Sequence, residues 1–146
     1  MHGTLDYLRR DLAKRLNPDM VLAGARSVVA VAMNYYPGGR PDEAPLKGRI
    51  SRYAWGGDYH ALIRNRLEQL LDFVRSRRPT ARGAICVDTG PVMEKAWAAE
   101  TGLGWTGKNT ILISRDLGSW LFLGVLLLDI ELEDEPAGRN LCGSCD

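Results

Sequence analysis

Thr110 to Glu131 reads TILISRDLGSWLFLGVLLLDIE, and this stretch decides the fold class. Two apolar runs, Thr110–Ser114 and Trp120–Glu131, flank Arg115-Asp116-Leu117-Gly118-Ser119. The runs have strand composition and the spacer has turn composition, so the pattern predicts two strands joined by a hairpin-type connection. At least one antiparallel connection, in a chain that also carries helical patterns, favours an α+β fold over a doubly wound parallel sheet. Trp120–Leu128 is the longest apolar stretch, far short of the roughly 20 residues that span a bilayer.

Upstream of that stretch, Pro91–Thr101 reads as a helix, with Pro91 suited to its first turn and Gly102 to its C′ position. Gly83–Asp88 reads as a short strand. Tyr59–Arg78 is the strongest helix: Ile63, Leu67, Leu70 and Val74 form an apolar stripe that Leu71 reinforces. Ser27–Met33 is a continuous apolar run with β-branched residues, predicted to be a strand buried on both faces. Residues 5–16 carry Leu5, Leu8, Leu12 and Leu16 on one helical face, ended by Asn17-Pro18. Tyr35–Gly48 contains three prolines and three glycines and reads as a long loop. Residues 131–138 are acidic, end in Pro-Ala-Gly, and read as a linker.

The chain has 146 residues, 45% hydrophobic and 25% charged, which suits one domain with a real core. A net charge of +1 provides no strong global field toward nucleic acid or membrane. Three cysteines are too few for a disulfide framework, and the odd count fits a reducing cytoplasm. The first seven residues lack the apolar core of a signal peptide.

Several positions could carry chemistry. Asp88, in Val87-Asp88-Thr89-Gly90-Pro91, ends a strand just before a helix. It reads either as a general acid or base facing a cleft or as the cap of the following helix. Gly102 to Thr110 places three glycines in six residues and ends Gly-Lys-Asn-Thr. It fails the phosphate-loop pattern because Asn109 intervenes and the loop follows a helix. It remains either a loop whose backbone approaches a flat ligand closely or a glycine-rich turn. Arg49–His60 is dense in aromatics, glycine and hydrogen-bonding groups, which suits a pocket for a large planar cofactor; His60 reads as a capping residue or a ligand. Arg75, Arg77, Arg78 and Arg82 sit at a helix C-terminus, where the dipole favours cations; phosphate contact is the other reading. Cys86 reads as a small hydrophobe in a strand. Cys142-Gly143-Ser144-Cys145 is either a two-thiol redox motif or half of a metal site, since zinc and iron–sulfur clusters take about four ligands.

Six segments together resemble epoxyqueuosine reductases: SVVAVAMNYYP (27–37), SRYAWGGDYH (51–60), VDTGP (87–91), EKAWAAETGLGWTGKNT (94–110), GSWLFLGVLLL (118–128) and CGSC (142–145). The resemblance runs in order over nearly the whole chain. It implies an α+β, nitroreductase-like mixed sheet with helices packed on it over residues 1–131. Residues 132–146 would be a linker and the start of a ferredoxin-like iron–sulfur domain. It also implies cobalamin and 4Fe-4S cofactors, a tRNA substrate, cytoplasmic location, no membrane, an external low-potential electron donor, and a monomeric full-length enzyme. The reaction is two-electron removal of the epoxide oxygen from the modified wobble nucleoside. Asp88 matches the family's proton donor. The corrin is expected at Ser51, Arg52, Tyr53, Asp58, Tyr59, His60, Asp88, Thr89, Met93, Gly104, Trp105, Lys108, Asn109 and Leu112. Contacts to tRNA are expected at Lys95, Arg77 and Arg78. Cys142 and Cys145 match the first two ligands of a C-x-x-C-x-x-C-x-x-x-C-P run. The chain departs from the family by stopping before the third and fourth cysteines, so it reads as a truncated core without its own electron supply. The competing readings are a flavin-dependent nitroreductase-like enzyme, a zinc-held RNA-binding module, and a reductive dehalogenase-like domain, which the basic cluster fits less well.

Overall fold

The computed structural model describes residues 11–39, 48–133 and 136–144. Its centre is β5, Leu121–Leu128, the middle strand of a three-stranded sheet ordered β1-β5-β2. β1 is Ser27–Asn34 and β2 is Gly83–Cys86. Both pairings are antiparallel: Ser27 lies opposite Leu128, and Cys86 opposite Val125.

Strand periodicity sends alternate residues of β5 to opposite faces. Leu126 and Leu128 pack with Ile63, Leu67 and Leu71 of α2, Tyr59–Arg77. Val125 and Leu127 pack with Cys86, Val92 and Trp97, the last on α3, Glu94–Glu100. All four β5 residues from Val125 to Leu128 are completely buried. Gly124 permits this closeness, because a Cβ there would sit 2.7 Å from Ile63 Cγ2 and 3.1 Å from Leu67 Cδ1. The α+β class follows from helices layered on an antiparallel sheet.

Three local expectations change, and a fourth lies partly outside the described residues. The Ser27–Met33 run is not buried on both faces; β1 is the sheet's edge and is half-buried, while β5 is the doubly covered strand. The residues before β5 do not form a hairpin with it. β4, Leu112–Ile113, pairs with β3, Trp105–Thr106, and Ser114 and Gly118 close a small loop on each other at 2.9 and 3.0 Å. β1 runs along all of β5 and β2 pairs with Val125–Leu128, and the tight turn lies earlier, where Thr110 N–H donates to the Gly107 carbonyl at 2.9 Å. The helix after β2 begins at Glu94 rather than Pro91. In the first helix, α1 covers Leu12–Leu16, while Leu5 and Leu8 lie outside the described residues.

The acidic segment after β5 packs back onto the domain. Ser27 Oγ donates to the Ile130 carbonyl at 2.8 Å and accepts from Leu132 N–H at 2.9 Å. Gly138 N–H reaches the Glu100 carbonyl at 3.3 Å, and any Cβ on Gly138 would collide with the Ala99 carbonyl oxygen.

Candidate active site

The site begins where β2 runs out. After buried Cys86 and Val87 the backbone turns at Asp88 with φ +54°, a left-handed conformation that aspartate adopts more readily than most residues. Thr89 N–H closes the turn on the Val87 carbonyl at 2.6 Å. The Asp88 carboxylate is 63% exposed and points to the start of α2.

Asp58 caps that helix. Its Oδ1 accepts from His60 N–H at 2.9 Å, as an N-cap carboxylate does, and the same oxygen lies 2.8 Å from His60 Nδ1. His60 Nε2 lies 3.2 Å from Asp88 Oδ2. One imidazole therefore bridges two carboxylates. Hydrogen bonding to Asp88, then to Asp58, raises the His60 pKa above the usual histidine value. The His60 side chain and N–H in turn hold Asp58 below the usual carboxylate range. Burial, then the Asp88 charge, pushes the Tyr59 hydroxyl up. The helix-cap reading of Asp88 is thereby corrected: α3 has Met93 at its N-cap and no side-chain cap bond, because it starts too late for Asp88 to reach its amides.

Asp88 stands at one wall of a cleft of about 230 Å³. Leu112, Leu121, Phe122 and Leu123 make it apolar; Glu94, Lys95 and Ser119 add polar groups. Burial is the main cause that raises the Glu94 pKa, and the Asp88 charge adds to it. Glu94 Oε1 is buried without a hydrogen-bond partner among the described residues. Lys95 Nζ donates to the Thr110 carbonyl at 3.1 Å.

Stacked rings connect the cleft to a second group. Tyr59 lies on Phe122 with centroids 3.9 Å apart and planes 2° apart, Phe122 lies on Tyr35 at 4.3 Å, and Tyr35 meets Trp120 edge-on at 5.7 Å. The Arg52 guanidinium sits 4.6 Å from Tyr36, 5.2 Å from Trp120 and 5.7 Å from Trp55. Its flanking residues Ser51 and Tyr53 are exposed.

The fold thus gathers Asp58, Tyr59, His60, Asp88, Lys95 and Leu112, with Arg52 joined through the rings. Thr89 and Met93 are exposed on the same β2–α3 connection. Gly104 has a different role from the one its motif suggested: a Cβ there would collide with the Ile113 carbonyl oxygen, so its missing side chain serves β3–β4 packing. Trp105 lies in β3, and Lys108 and Asn109 occupy the exposed β3–β4 turn, where Asn109 Oδ1 accepts from Ile111 N–H at 3.2 Å. Arg77 and Arg78 do not share the cleft. They lie at the far end of α2, whose 19 residues span about 28 Å. Arg82 is engaged by Asp129 at 2.7 Å and the Ala23 carbonyl at 2.8 Å. Cys142 is a half-buried free thiol, Cys145 lies outside the described residues, and no group of three metal-ligating side chains converges among the described ones. Residue reading missed Glu94, Ser119, Phe122, Tyr35 and Trp120 as site members. Their grouping depends on the β1–β5 register, in which Tyr35 N–H donates to the Trp120 carbonyl at 2.9 Å.

The family model described as "Epoxyqueuosine reductase QueG, DUF1730" matches residues 15–89, half of the chain. The chain belongs to the epoxyqueuosine reductase family. The epoxyqueuosine reductase of Leadbetterella byssophila is 42% identical over 144 residues, 99% of this chain and 47% of that protein. That of Synechocystis sp. is 47% identical over 132 residues, 90% of this chain and 46% of that protein. The chain therefore spans about half the length of these relatives. A crystal structure of epoxyqueuosine reductase with an epoxyqueuosine-modified tRNA-Tyr stem loop superposes with TM-score 0.81 at 33% identity, over 93% of this chain and 37% of that one. The Bacillus subtilis epoxyqueuosine reductase, solved with its catalytic aspartate loop swung out of the active site, superposes with TM-score 0.79 at 31% identity, over 94% of this chain and 37% of that one. No helix among the described residues is long and apolar enough to cross a membrane.

Proposed function

We propose that this chain forms the cobalamin-binding part of an epoxyqueuosine reductase, which reduces the epoxide of epoxyqueuosine in tRNA to the alkene of queuosine. The observation that carries the reading is the Asp88 carboxylate at the lip of an apolar cleft, anchored through Oδ2 to His60. Family membership and the relative crystallised with modified tRNA support the substrate class.

The site fits a flat, amide-rimmed macrocycle. The cleft floor is apolar, the exposed apolar side chains Tyr53, Met93, Ile111 and Trp120 belong to the segments around it, and Ser51, Thr89 and Lys108 offer exposed polar groups. The unpartnered Glu94 Oε1 offers a further hydrogen-bonding position. With Arg52, Tyr59, Asn109 and Leu112, these residues would hold cobalamin, which when bound supplies the two-electron reducing power at the epoxide carbon. Among the described residues Cys142 is the one thiol of the pair, half-buried, and no metal-binding group converges on it; an external low-potential donor would supply the electrons.

Epoxide plus two electrons and two protons gives alkene plus water. Asp88 delivers one proton to the epoxide oxygen as its C–O bond breaks, drawing on the His60 imidazolium bonded to it; solvent supplies the other. The aromatic wall of Tyr59 and Phe122 excludes water from the reacting carbons. Lys95, which lines the cleft, would contact an RNA phosphate.

The test is to add cobalamin to the purified chain, desalt, and measure cobalt and the absorption spectrum. Retention near one cobalt per chain with a base-off spectrum is expected. Retained flavin in place of cobalt overturns the reading. With chemically reduced cobalamin and the modified stem loop, Asp88→Asn is expected to keep the corrin and lose turnover by about 10²–10⁴-fold.

A further inference from the structure

We propose that Asp58 and His60 are positioning residues for Asp88: together they latch the turn after β2 so that its carboxylate stays at the cleft. The latch itself rests on geometry; its relevance to turnover rests on the acid role proposed above.

Asp88 adopts φ +54°, a left-handed conformation unfavourable for most L-residues and somewhat less so for aspartate, and its backbone meets the Glu94 carboxyl. Both Thr89 bonds run back to Val87 within the turn. The following helix offers no side-chain cap. The side-chain bond from Asp88 to His60 crosses 28 residues of sequence and ties the turn to α2.

The His60 side of the bond is rigid. Its Nδ1 is fixed on Asp58 Oδ1, its own N–H is held by the same oxygen, and its ring stacks on Tyr59 at 4.0 Å. With Nδ1–H committed to Asp58, Nε2 is aimed at Asp88, and the protonated ring satisfies both carboxylates at once. The other titratable or charged groups lining the cleft with Asp88 are Tyr59 on α2 and Glu94 and Lys95 on α3. A charged Glu94 favours imidazolium; Lys95 opposes it.

The histidine is raised in the fold, so the charged latch is complete below the ordinary histidine value of about 6.5 and is lost as pH rises through the higher folded value. The neutral ring retains one donor, so the latch weakens, without being abolished, as pH rises through the folded histidine value.

The chain has two histidines, His2 and His60, so ring NMR reports His60 directly. The His60 titration is expected to fall toward the ordinary value in Asp58→Asn and again in Asp88→Asn. Amide exchange at residues 88–90 is expected to accelerate about tenfold in His60→Ala. His60→Gln, whose carboxamide can donate to Asp88 without titrating, is expected to restore slow exchange and remove its pH dependence. In the cobalamin-loaded protein, kcat is expected to fall in His60→Ala with KM for the stem loop little changed, and to recover in part in His60→Gln. Unchanged exchange in His60→Ala, with His60 still titrating high in Asp88→Asn, overturns the latch. Accelerated exchange with undiminished kcat overturns the acid role while leaving the latch standing, so the two failures are distinguishable.

Discussion

Glu94 is a carboxyl that sequence alone would leave on a solvated helix face, yet burial raises its pKa. In the unfolded chain it loses its proton first, so this group's contribution to stability falls as pH rises from the ordinary carboxylate value to the folded one. Glu94→Gln removes that slope. Urea midpoints are expected to favour the variant more at pH 7.5 than at pH 4.5. Asp129 has the opposite sign: Arg82 N–H and its guanidinium hold it below the ordinary range, so its contribution is present above the ordinary aspartate value and lost as pH falls through the folded one. Asp129→Asn is expected to flatten the acid limb of the same curve. The placement of Asp88 at a cleft was legible because a strand, a carboxylate and a proline-bearing turn coincide. Its partner was not, since nothing in local spacing couples it to a histidine on another element. Gly104 was singled out for its freedom but is required for space, a distinction that appears only when Ile113 lies across it.

The long helix was read almost to the residue, because a stripe of Ile63, Leu67 and Val74 specifies both the period and the buried face. Its packing is specific as well: Leu67 reaches β5 through the gap left by Gly124. Leu67→Ala is expected to cost about 2–5 kcal/mol in chemical denaturation, and Gly124→Val to destabilise by forcing the helix outward. Asp58→Ala removes the cap and is expected to cost about 1 kcal/mol in addition to freeing His60. The hairpin was misassigned because composition identifies strands and turns but not partners. The strand next in sequence before β5 is paired instead with β3, through the turn at Gly107–Thr110. The same ambiguity made β1 look like the central strand: it is as apolar as β5, yet it has one neighbour.

Across the whole molecule, the sheet separates two environments. The cleft, with Asp88 and the start of α2, lies at one end of that helix, and the Arg77 and Arg78 charges lie about 28 Å away. At physiological salt the Debye length is about 8 Å, so those arginines act on a short stem loop only if it reaches them. Arg77→Ala with Arg78→Ala is expected to leave stem-loop affinity within about twofold of wild type at 0.15 M salt, while Lys95→Ala weakens it and lowers the salt slope by about one. Equilibrium binding titrations across a salt series check both. The α+β class was readable from the mixture of patterns; which end of α2 faces the cleft was not, because that depends on where the chain crosses itself.

The ring stack has an optical consequence. Trp120 and Trp55 flank Arg52 at the end of the stack that starts in the cleft, whereas Trp97 is packed beneath the opposite face of β5. A coloured molecule seated over the cleft would drain tryptophan emission by energy transfer. The intensity of tryptophan light from this chain, followed during a titration, therefore reports when a chromophore has settled there.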